Sequence, residues 1–188
     1  MDLSITTVQI AAILISVLAF LEAIWLYKWV AKQPSSNPRV NEIGALIRQG
    51  ANTFLRKEYK TLARFCAVAA LLIFLFLPSP VWEGNVADNI TMVIAYVFGT
   101  LFSATAGKVG ISIATIANIK SAEASTQSIQ KSFLSGFRGG AVMGMAVVGS
   151  SLLGVTLVYL ITGSSTAMLG FSFGASSLAL FAKAGGGI

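Results

Sequence analysis

The chain has 188 residues, of which 55% are hydrophobic and only 11% charged, with a mean hydropathy of +0.80. A soluble domain carries about 25% charge, so the composition excludes an ordinary water-soluble fold and points to an all-α, multi-pass membrane protein. Thirteen Lys and Arg against seven Asp and Glu leave a net charge of +6, but no basic face with interleaved aromatics accompanies it, which excludes nucleic acid as the partner.

Five apolar segments are predicted to span the bilayer, at 7–30, 62–77, 90–117, 133–161 and 167–182. The first follows Met1-Asp2-Leu3-Ser4, which has no basic n-region, and it is too long for a signal-peptide core, so it reads as an uncleaved span. It contains Glu22, either a proton or cation site inside the membrane or an acid reaching interfacial water near Lys28. Pro34 and Pro38, with Ser35, Ser36 and Asn37, mark the loop that follows.

From Ile43 to Leu62 apolar residues recur at helical spacing, with Arg48, Arg56, Lys57 and Lys60 between them. This stretch is either an interfacial helix on anionic lipid or an extension of the second span. The absence of a breaker before Leu62 favours the extension. The one cysteine, Cys66, reads as a small buried hydrophobe. With no histidine, it leaves no internal disulfide, Cys/His zinc site, haem attachment or histidine acid–base chemistry. The second span ends in a bulky run, Leu71 to Leu77, suited to lipid. Asn89-Ile90-Thr91 matches a glycosylation sequon.

Small residues recur every four positions in the last three spans: Gly99, Ser103 and Gly107, then Gly136, Gly140 and Gly144, then Gly170 and Gly174. Without a hydrophobic drive between helices in lipid, close packing relies on such stripes, so these spans are expected to be tightly packed interior helices. Lys108 and Arg138, near span ends, are expected to snorkel to the interface. Gly107-Lys108-Val109-Gly110 lacks the spacing of a phosphate loop.

All thirteen basic residues fall on one side if five spans alternate, because 78–89 and 162–166 contain no Lys or Arg. The positive-inside rule makes that side cytoplasmic and puts the N-terminus outside, in a cell-membrane protein. The last span runs into Lys183 and then Gly185, Gly186 and Gly187. The triplet suits a helix break, a close-packing contact, or a backbone approach to phosphate.

Four strings carry a resemblance. They are Ile47 to Tyr59 (IRQGANTFLRKEY), Gly107 to Asn118 (GKVGI and ATIAN), Phe137 to Gly144 (FRGGAVMG), and Gly174 to Ile188 (GASS and ALFAKAGGGI). In this order they resemble the N-terminal part of the membrane-bound, ion-pumping inorganic pyrophosphatases. The resemblance implies a pump that hydrolyses pyrophosphate on the cytoplasmic side with Mg2+, in some members with K+, and moves protons or sodium outward as a homodimer. It implies an ion-coupling role for Lys183 and a helix break before the site at Gly185, Gly186 and Gly187. The family usually has arginine at the position of Lys183; lysine keeps the charge and loses the planar fork.

The family's substrate motif follows the glycine triplet and is not in this chain. Asp2, Glu22, Glu42, Glu58, Glu83, Asp88 and Glu123 form no cluster to hold metal and orient water. No catalytic residue and no metal ligand is therefore expected here, and the chain alone is expected to be inactive. The alternative function is a non-enzymatic multi-pass transporter subunit or scaffold.

Overall fold

The computed structural model describes residues 4–186 as five helices: α1 Ile5–Ala31, α2 Pro38–Phe76, α3 Val86–Ser125, α4 Ile129–Thr162 and α5 Ser165–Gly186. There is no strand among the described residues. By length and composition, α1 to α4 can each cross a membrane, whereas α5 is apolar over the shorter stretch Ser165–Leu180. Five spans were expected from the sequence; four meet this measure.

Four of the five helices start at a capping side chain. Ser4 Oγ accepts the Thr7 amide at 3.3 Å ahead of α1. Asn37 Oδ1 accepts the Arg39 and Val40 amides ahead of α2, with Pro38 in the first position, where its missing N–H costs nothing. Asn85 and Ser164 do the same for α3 and α5. Between α4 and α5, Gly163 takes φ +62 and its amide bonds the Tyr159 carbonyl at 2.8 Å, the left-handed stop that glycine adopts without strain.

The amphipathic stretch 43–62 belongs to α2, which runs unbroken from Pro38 to Phe76. At 1.5 Å per residue it is roughly 58 Å long, about twice the hydrocarbon thickness, so a large part of it extends beyond the bilayer. The 40 residues of α3 likewise exceed one crossing.

Close contacts divide the chain into two compact units, one of Met1–Ser16, Glu58–Thr105 and Ser150–Ile188, the other of Val17–Lys57 and Ala106–Gly149. In the first, α3 and α5 touch backbone to backbone. A methyl group on Gly99 would collide with the Phe171 carbonyl, and one on Gly174 with the Tyr96 carbonyl. A Cβ at Gly170 would lie 2.7 Å from the Met92 carbonyl oxygen. Phe171, brought in by this approach, packs with Ala95, Val158 and Ala167. A second cluster joins Ile73 of α2 to Met92 and Tyr96 of α3, with Cys66 against it. The end of α2 is thus not bulky lipid surface all round: Leu71 and Leu72 are exposed, but Ile73 is buried.

In the second unit, Ala23, Leu26 and Val30 of α1 pack with Ile113 and Ala117 of α3 and Val142 of α4. Gly139 fits against Ala117, and a Cβ on Gly110 would lie 2.7 Å from Met143 Sδ. Reciprocal bonds between Ser121 and Ser132 pin the α3–α4 hairpin, each Oγ donating to the other's carbonyl at 2.9 Å. The spacing-four stripe of α4 is not a contact surface here, contrary to expectation. Nothing lies within 4 Å of a Cβ at Gly140 or Gly144, and Gly136 meets only Ser121 Oγ at 3.7 Å. The buried stripe of α4 is Ser135, Gly139, Val142 and Ala146. One residue further on is about 100° round the helix, and that rotation takes Gly136, Gly140 and Gly144 out of the contact.

Candidate functional site

The ion-coupling candidate Lys183 stands in the last turn of α5. A cation there is favoured by the helix dipole. The face of α5 bearing Gly170, Phe171, Gly174 and Ser177 is buried, whereas Leu169, Phe173 and Leu180 are exposed. Lys183 continues that open stripe at heptad spacing and is itself exposed, with no carboxylate in ion-pair contact among the described residues. The chain therefore delivers a cation at the end of a helix face that its own residues leave uncovered. Of the expected break, Gly185 and Gly186 are helical, the final residues of α5, and Gly187 lies outside the described residues. The helix does not stop at the first glycine, because nothing in two glycines forbids helical φ/ψ.

Glu22 is exposed on α1, and Lys108 on α3. Arg138 does more than snorkel: its Cζ lies 3.9 Å from the Trp29 ring centroid and 5.6 Å from that of Trp25. Cys66 is half-buried and free. The sequon is structurally committed. Asn89 is fully buried and its Nδ2 donates to the Phe74 and Ser79 carbonyls, both at 2.8 Å, capping the end of α2.

Three polar groups escaped sequence reasoning. The Tyr59 hydroxyl donates to the Ala104 carbonyl at 2.6 Å, tying α2 to α3. The Tyr96 hydroxyl is fully buried. Glu123 Oε1 accepts the Ser36 amide at 2.5 Å and the Ser36 hydroxyl at 2.7 Å, clasping the α1–α2 loop to the end of α3 beyond its apolar stretch. The Ser36 backbone N–H, then its hydroxyl, hold the Glu123 carboxyl below the usual carboxylate value. A loop rich in Ser and Asn beside an acidic helix end was the one available signal.

Among the described residues, no three His, Cys, Asp or Glu come together in a group that could hold a metal ion. What the geometry offers is an exposed cation at the end of a tightly packed helix, without a metal-binding cluster among the described residues.

Residues 17–188 match the family model described as inorganic H+ pyrophosphatase. The chain belongs to this family. It is 35% identical over 166 residues to a K(+)-insensitive pyrophosphate-energized proton pump of Methanosarcina mazei, covering 88% of this chain and 23% of that protein. With the K(+)-insensitive pyrophosphate-energized proton pump 2 of Moorella thermoacetica it shares 35% over 179 residues, 92% of this chain and 25% of the relative. With the K(+)-stimulated pyrophosphate-energized sodium pump of Thermotoga maritima it shares 33% over 183 residues, 85% and 24%. The chain thus spans about a quarter of the length of the curated relatives it matches. The inorganic H+ pyrophosphatase match takes in α2 to α5 whole, including Lys183, and α1 from Val17 onward. Together with four apolar helices, it makes this a multi-pass membrane protein.

Proposed function

We propose that this chain is the N-terminal transmembrane part of a pump that couples cytoplasmic pyrophosphate hydrolysis to outward movement of protons or sodium. The observation that carries this reading is the family match running through every helix to the cation at the end of α5. In the proposal the N-terminus lies outside, α5 completes the fifth crossing, and the working pump is a homodimer in the lipid bilayer. Lys183 is the coupling residue, its charge placed on the face of α5 that the remaining helices would cover. Mg2+, and in some members K+, would serve the hydrolysis. The described carboxylates of this chain do not fit a magnesium site, since none of them cluster. The ligands would come from the rest of the pump.

The experiment joins this chain to the remaining three quarters of the Methanosarcina mazei relative and reconstitutes the product in vesicles. We expect phosphate release from magnesium pyrophosphate with proton or sodium uptake, and none from this chain alone. An inert chimera beside an active parent protein would favour the non-enzymatic subunit or scaffold. Within the chimera, Lys183→Ala should lower ion transport per phosphate released, whereas Lys131→Ala should leave that ratio unchanged. Equal ratios in both variants would reduce Lys183 to an anchor.

A further inference from the structure

Trp25, Lys28 and Trp29 of α1, and Lys32 just past its end, follow one another at positions i, i+3, i+4 and i+7, and so share one side. Ala23, Leu26 and Val30 turn into the core of their unit, which fixes the orientation of that side. Trp29 packs against the same core, while Trp25 stays 55% exposed and Lys28 and Lys32 are exposed. Arg138 comes to this surface from α4. Its neighbour Gly139 sits against Ala117, and that close approach brings the guanidinium over the Trp29 ring.

Stacking on an indole uses the flat face of a guanidinium and leaves its five N–H donors in the plane. Among the described residues no acceptor takes any of them, although Arg138 is half-buried. The nearest acid on that side of α1, Glu22, makes no ion pair with it, Glu42 pairs with Arg39 at 2.8 Å, and Glu123 is taken by Ser36. A positioned, unneutralised cation thus stands with two lysines beside two tryptophans, the residues that sit at headgroup depth. Leu18 and Leu21 on α1, and Phe137 and Val148 on α4, present exposed apolar surface along the same two helices.

We propose that Arg138, Trp29 and Lys28 bind the phosphate of an anionic glycerophospholipid, whose acyl chains lie along the apolar surfaces of α1 and α4. Arg138 supplies the planar donors, Lys28 a second charge, and the indoles hold the guanidinium aimed outward. Basic pockets between helices at a membrane face take anionic headgroups by this chemistry. The source is a lipid and not a free phosphate, because only a lipid also covers the adjoining apolar surface. The proposal rests on the chain being in a membrane and not on its being part of a pump.

The tryptophans report on it directly. Of the three in the chain, Trp82 lies in the loop after α2, and a Trp82→Phe background leaves Trp25 and Trp29. In nanodiscs, brominated phosphatidylglycerol should quench these two at lower mole fraction than brominated phosphatidylcholine. Arg138→Gln should lower that preference about fivefold, the worth of one cation at an anionic surface. Lys28→Gln should lower it in the same sense and provides the test if Arg138→Gln does not fold. Millimolar inorganic phosphate should leave the quenching unchanged. Equal quenching by the two lipids, an unaltered preference in either folded variant, or displacement by inorganic phosphate would each overturn the proposal.

Discussion

Replacing Gly99 with alanine puts one methyl group where the backbone of α5 already stands. The new Cβ would collide with the Phe171 carbonyl oxygen and lie 2.9 Å from its carbon and 3.0 Å from the Ala175 nitrogen. All three atoms are backbone, so no rotamer change relieves them. The helices must separate by more than about 1 Å to restore ordinary contact, and a gap of roughly 0.5–1 Å already forfeits a quarter to a half of the facing dispersion wells. Overpacking of this kind costs about 1–3 kcal/mol, while alanine gains about 0.5–1 kcal/mol over glycine inside a helix. The expected net loss is about 0.5–2 kcal/mol. The same substitution at Gly140 meets nothing within 4 Å and should show only the gain. Gly99→Ala and Gly174→Ala should together cost less than their sum, because one separation relieves both collisions. Thermal unfolding in detergent, followed by helical circular dichroism and by labelling of the single cysteine, Cys66, measures this. Gly99→Ala should melt a few degrees lower, at about 2–4 °C per kcal/mol for a chain of this size, with Gly140→Ala level or higher. A Gly140→Ala melt as low as that of Gly99→Ala would refute the assigned contact face.

Asn89→Ala should cost about 1–3 kcal/mol, because the partly buried Phe74 and Ser79 carbonyls lose the donor of a fully buried side chain; an unchanged melting temperature would contradict the cap. For the same reason the Asn89 sequon should stay unmodified when the chain is inserted into glycosylating microsomes, detected by the absence of a mobility shift. Glu123 has a folded pKa below its ordinary value of 4.5, so its contribution is present above that value and is lost as pH falls through the lowered one. Wild-type stability, read by circular dichroism, should therefore decline below pH 4.5, and Glu123→Gln should flatten that decline; parallel pH profiles would exclude the Ser36 clasp as its cause. Arg138→Lys should weaken the stacked contact with Trp29 while keeping the charge, visible as altered accessibility of tryptophan fluorescence to a water-soluble quencher.

Hydrophobic run length and capping chemistry are local, and they determined most of the helical plan. The expected segments 7–30, 90–117 and 133–161 lie within α1, α3 and α4; the side chains of Asn37, Asn85 and Ser164 cap helix starts, and Gly163 ends α4 through its positive φ. The lack of a breaker before Leu62 was enough to favour one continuous α2. The strings around Gly50, Lys108, Arg138 and Lys183 pointed to the family, and the match over 17–188 places the chain in it. Facing was a different matter. Both sides of these helices are apolar, so polarity carries no signal for which side meets protein, and burial depends on which backbones approach. Gly99 and Gly174 meet a carbonyl while Gly140 and Gly144 meet nothing, although all four belong to the same kind of stripe. Only the tertiary structure could decide this, because a turn of about 100° per residue makes Gly139 a contact and Gly140 open surface. The pairings of Arg138 with Trp29 and of Glu123 with Ser36 join residues 109 and 87 positions apart, distances over which helical periodicity says nothing.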